Sequence, residues 1–136
     1  RTRWTATSAI VEAPALANST GIVHEAAAVQ TTDATANVTL YSKTLADNTV
    51  YVFDVLVTCR DTGGTERAVY SRRVRAHRQG AGVAVLGIIE ASYTDESLAS
   101  MNCTFTVSTN DIRVSVTGKA GTTINWAARV TSIGAE

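Results

Sequence analysis

The stretch TVYVFDVLVTCRDTGGTERAVYSRRVRAHR, Thr49 to Arg78, decides the fold. Tyr51, Phe53, Val55, Val57 and Cys59 recur at every second position, which places them on one face of an extended strand. Asp61-Thr62-Gly63-Gly64 reads as a tight hairpin turn, because glycine reaches positive φ without a Cβ clash. Thr65–Arg78 then returns as the antiparallel partner. Working outward, Val38–Leu45 is a strand closed by Asp47-Asn48, and Gln79-Gly80-Ala81-Gly82 turns the chain into Val83–Tyr93. Thr94–Ser97 is a polar break, and Asn102–Ser108, Ile112–Thr117 and Thr123–Ile133 follow, joined at Asn110-Asp111 and Gly118–Gly121. About seven strands, short glycine or Asx turns and no helical period between them predict an all-β, antiparallel, jelly-roll-like β-sandwich over residues 37–136.

Composition agrees. Among 136 residues there are 21 Thr and 16 Val but 6 Leu and one Met, so residues branched at Cβ outnumber good helix formers. Residues 1–36 are Ala/Thr/Ser-rich without a sustained period, contain Pro14, and read as an extended N-terminal arm or linker carrying one or two short strands; a short helix through Glu25–Val29 stays open. Residue 1 is Arg, which reads as a piece of a longer chain. Twelve basic residues balance twelve acidic ones, so no global field draws the chain to nucleic acid or anionic lipid, and no apolar run is long enough for a spanning helix. Cys59 and Cys103 are expected as free buried thiols, with a disulfide as the alternative. The sequons at Asn18, Asn37 and Asn102 carry little weight in a chain this rich in Ser and Thr.

No catalytic constellation is visible. His24 and His77 are far apart, and neither His-Glu-x-x-His nor Cys-x-x-Cys nor Gly-x-Ser-x-Gly occurs, so no metal, cofactor or enzyme activity is expected. Gly80-Ala81-Gly82 is a turn rather than a phosphate cradle, and Asp95-Glu96 is read as a solvated acidic pair in a turn. Six arginines lie between Arg60 and Arg78; with Tyr70 the one aromatic close by, a basic stripe facing solvent or a subunit is preferred to a nucleic-acid site. Arg72 falls in the apolar row of Ala68, Tyr70, Val74 and Ala76, and Asp54 interrupts Val50, Val52 and Leu56. Either Asp54 and Arg72 pair across the hairpin, or a bulge turns Arg72 to solvent. The strand Thr49–Arg60 is apolar on both faces, so it is expected to be covered twice, by the lead-in or by a neighbouring subunit. The candidate subunit interface is therefore Val50, Val52, Asp54, Leu56 and Arg72, in a homo-oligomer with trimer as the leading stoichiometry.

The run Arg60-Asp-Thr-Gly-Gly-Thr-Glu-Arg-Ala-Val-Tyr70, the strand ending near Tyr93-Thr-Asp-Glu96, and above all Gly118-x-x-Gly121 followed by Ile124-x-Trp126 belong together. Over Val38 to Ile133 they resemble the C-terminal β-sandwich domain of tailed-bacteriophage virion proteins, notably tail fibres. The resemblance implies a non-enzymatic, homotrimeric surface module of the virion, assembled in the host bacterial cytoplasm. It would bind other virion proteins or a host-surface glycan, without nucleic-acid binding or membrane insertion. Capsid decoration or head-fibre protein, depolymerase fragment, and carbohydrate-binding module of a polysaccharide-degrading enzyme are the alternatives. Trp4, Tyr93 and Trp126 are the candidate sugar contacts, with Trp126 read first as core filling opposite Phe53 and Phe105.

Overall fold

The computed structural model describes residues 19–136 and the backbone of Ala9–Val11. The described residues form nine strands: β1 (Ala9–Val11), β2 (Ser19–Thr31), β3 (Val38–Thr44), β4 (Thr49–Asp61), β5 (Arg67–Arg78), β6 (Val85–Glu96), β7 (Asn102–Ser108), β8 (Asp111–Thr117) and β9 (Ile124–Ala135). They pair antiparallel into a large sheet of order β1-β2-β9-β4-β5-β6 and a small one of order β3-β8-β7. The fold is thus all-β and consistent with the expected β-sandwich. Among the described residues no helix is long and apolar enough to cross a membrane.

The alternation read from the sequence sets which side chains meet. Phe53, Val55, Val57 and Cys59 of β4, Tyr70 and Val74 of β5, and Trp126 and Val130 of β9 form the inner face of the large sheet. Leu40, Cys103, Phe105, Ile112, Val114 and Val116 of the small sheet belong to the same buried cluster, with Leu45 and Met101 from the connections. Burial of these branched and aromatic side chains is what holds two sheets face to face.

Three local expectations change. Residues 25–29 are strand, not helix: β2 pairs with β9 from Ser19↔Ala135 to Thr31↔Ile124. Its Ala26-Ala27-Ala28 run hides the period of two, because alanine gives similar hydropathy on both faces. β6 continues to Glu96, so Asp95 and Glu96 lie on a strand rather than in a turn. Consecutive strand residues point to opposite faces, and this acidic pair therefore does not converge. Finally, Trp126 is not opposite Phe53. Trp126 pairs with Cys59 and Phe53 with Ser132, six positions apart along β9, or roughly 20 Å at the usual strand rise. Trp126 stacks on Tyr70 instead, with centroids 6.3 Å apart and planes at 21°.

Candidate functional site

Two places carry residues singled out by the sequence: the core knot around Arg72 and Trp126, and the outer face of the large sheet. In the core, Arg72 is only 6% exposed. Its Nε donates to the Cys103 carbonyl at 3.1 Å, and one terminal nitrogen donates to the carbonyls of Ser71 at 3.1 Å and Tyr93 at 2.7 Å. The guanidinium also lies 5.0 Å from the Tyr70 ring centroid. Arg72 therefore does not pair with Asp54; its charge is met by carbonyls and a π-face, and it ties β5 to β6 and to β7 of the other sheet. A register shift does flank it, between Ser71 and Arg73 where β5 meets β6, but the side chain stays inward. Asp54 stands directly opposite Arg73, whose Nε and second terminal nitrogen reach its carboxylate oxygens at 2.7 and 3.1 Å. Both side chains of that pair are half exposed, so solvent screens it and it adds little to stability.

Trp126 is 1% exposed and its Nε1 donates to Thr31 Oγ1 at 2.9 Å, so it offers no indole face to a sugar. Thr31 is also the residue that a side chain at Gly118 would strike, together with the Asp33 carbonyl, 2.9 Å from the position of a Cβ. Gly118 and Trp126, the ends of the motif near the chain terminus, thus close on one hydroxyl at the end of β2. Tyr93 is 54% exposed on edge strand β6 and remains available to a ligand. Trp4 lies outside the described residues.

Both cysteines are free and buried, and burial pushes the thiols up to about 11 at Cys59 and about 12 at Cys103. Neither is a thiolate nucleophile near neutral pH. Tyr70 donates to Glu96 Oε2 at 2.6 Å, and burial raises its phenol well above the ordinary range, so it stays protonated. Among the described residues no group of three or more His, Cys, Asp or Glu side chains is placed to hold a metal ion.

At one end of the sandwich three connections meet on the buried Glu66 carboxylate, which accepts from Lys119 Nζ at 2.6 Å and from Ser97 Oγ at 2.9 Å. These bonds, led by that from Lys119, hold the carboxyl below its usual 4.5. A carboxyl with a lowered folded-state pKa contributes stability that is complete above its unfolded value and lost as pH falls through the folded one. Urea midpoints should therefore drop as pH goes below about 4.5, and Glu66→Gln should weaken the protein at neutral pH while flattening that acid dependence. An acid profile identical in the two proteins would remove Glu66 from the account.

The outer face of the large sheet carries the remaining candidates. Val50 and Leu56 are 48% and 42% exposed, Val52 is half-buried, and Asp54 stands between them. Ile22, Ile133 and Val52 form one cross-strand row over β2, β9 and β4. Val50, Val52, Ile133 and Ala135 line a shallow depression of about 330 Å³, which Arg75, opposite Val52 on β5, also borders. Among the described residues, the lead-in extends the sheet in its own plane through β2 and leaves this face open. Arg72, expected here, is in the core. Sequence reasoning missed Ile22 and Ile133 because the face is composed across strands distant in sequence.

No family model matches the chain, and no curated protein matches it. Among solved structures, it is similar to part of the tailspike protein of Acinetobacter baumannii phage AM24, with 8% identity and a TM-score of 0.49, over 82% of this chain and 26% of that one. It is also similar to part of tailspike protein gp49 from Acinetobacter baumannii bacteriophage Fri1, described as a capsular polysaccharide depolymerase. There the identity is 12% and the TM-score 0.45, over 95% of this chain and 20% of that one. The chain thus spans about a quarter or less of either tailspike.

Proposed function

We propose that the chain is a non-enzymatic structural module of a tailed-phage tail fibre or baseplate that assembles with copies of itself, as a trimer, and presents the sandwich to a host-surface glycan. The observation that carries this reading is the open apolar row Ile22–Ile133–Val52 with Val50 beside it, and Leu56 farther along the same face of β4 beyond Asp54. Clustered apolar side chains on one sheet face mark a surface that another protein covers. A three-fold ring needs two different patches on each copy, and a large sheet open on its outer face supplies the first. The resemblance of Gly118–Trp126 to virion β-sandwiches supports the assignment to a phage particle.

Light scattering should return a mass of three chains at tens of micromolar, and Leu56→Glu with Ile133→Glu should reduce it to one while the circular dichroism stays that of β-sheet. An antibody to the recombinant chain should label the tails of intact particles. A stable monomer of the unaltered protein overturns the self-assembly, and label on the capsid alone overturns the tail.

A further inference from the structure

On the same outer face Arg60 of β4 stands directly opposite Arg67 of β5, the last register pair before the turn. Like charges placed so are destabilising unless something answers them. Among the described residues neither guanidinium forms an ion pair, in contrast to Arg73, which is held by Asp54; Arg67 feels the Glu66 carboxylate only at longer range. Arg60 leans over the turn, its terminal nitrogen 3.0 Å from where a Cβ on Gly64 would sit, so the glycine keeps that space for it. The two arginines line a depression of about 360 Å³, together with Thr58, Asp95, Ser97 and Glu96, the last of which accepts from the Tyr70 hydroxyl. That volume is at the lower end of small-ligand sites.

We infer that this depression binds a carboxylate-bearing sugar unit of an acidic polysaccharide. The inference rests on the glycan-attachment reading above and names the chemical class of its ligand. Two arginines at directly opposed positions supply planar donor forks that match a carboxylate, and binding one answers both charges. Asp95, two register steps from the pair and diagonal to Arg67, accepts from sugar hydroxyls, and the Thr58 hydroxyl both donates and accepts. The mixed sign decides between polyanions. A nucleic acid carries a charge on every phosphate and gains from aromatic platforms, whereas this lining sets two carboxylates, Asp95 and Glu96, beside its two arginines and includes no aromatic side chain. A glycan with sparse carboxylates and many hydroxyls fits both its charges and its polar groups.

The test measures binding of the intact chain to oligogalacturonate by calorimetry, beside neutral dextran and a single-stranded oligonucleotide of similar length. Oligogalacturonate should bind, more weakly as salt rises, and dextran should not. Arg60→Gln with Arg67→Gln should weaken binding at least about tenfold, as expected for losing charge-assisted bonds. The thermal midpoint of that variant should change little, because it loses the Arg60–Arg67 repulsion together with the attraction between Arg67 and Glu66. Arg129→Gln, on the same face, should bind as the unaltered chain does. Absence of oligogalacturonate binding, equal binding by the double variant, or tighter binding of the oligonucleotide overturns the inference. Tail labelling and trimer mass are read separately, so the virion assignment stands or falls on its own measurements.

Discussion

Arg72→Ala should lower the unfolding free energy by about 3–5 kcal/mol, the range for truncating a large buried side chain and stranding the polar groups it served. The guanidinium is 6% exposed and donates to three backbone carbonyls, two of which, on Tyr93 and Cys103, belong to the edge strand of its own sheet and to the opposite sheet. Its loss leaves a cavity against Tyr70 and removes the donors those carbonyls use. Arg72→Met separates the two effects: it refills most of the volume yet should still cost about 1–3 kcal/mol for the unanswered carbonyls. Arg72→Lys keeps the charge but replaces a planar fork by a single ammonium, and should fall between Met and Ala. Urea denaturation reads all three, and an Ala variant within error of the parent would refute the bridging role.

Trp126→Ala should cost a similar amount, about 3–5 kcal/mol, the usual range for deleting a buried indole. Here the loss has two parts. The ring stacks on Tyr70 in the core, and its N–H is answered by Thr31 across the β2–β9 boundary. Thr31→Val is close in shape and leaves that N–H without an acceptor, so it should cost about 1–3 kcal/mol. If Trp126 were a sugar platform, its removal would abolish glycan binding while sparing stability. The buried geometry predicts the reverse: a lower urea midpoint, and unchanged affinity in whatever fraction remains folded.

The pattern of two in Thr49–Arg78 was enough to place β4 and β5, their turn and their inner faces, because a half-buried strand must alternate and a glycine turn must reverse it. The same rule located β7, β8 and β9. It did not reveal β2, where consecutive alanines flatten the contrast between faces, nor the length of β6, whose polar end reads as a loop but is held by pairing with β5.

At the candidate sites the division follows distance along the chain. That Arg72 falls in an apolar row was legible from its neighbours; that carbonyls from β6 and β7 receive it was not, since those partners are 21 and 31 residues away. Asp54 was visible as an anomaly, yet a one-residue difference in register moved its partner from Arg72 to Arg73 and so from core to surface. Val50, Val52 and Leu56 announced an apolar outer face, but only the order β2-β9-β4 sets Ile22 and Ile133 beside them. Alternation is a local property that the backbone imposes on each strand. Which strands become neighbours, and therefore which charges and apolar groups meet, depends on the sheet as a whole.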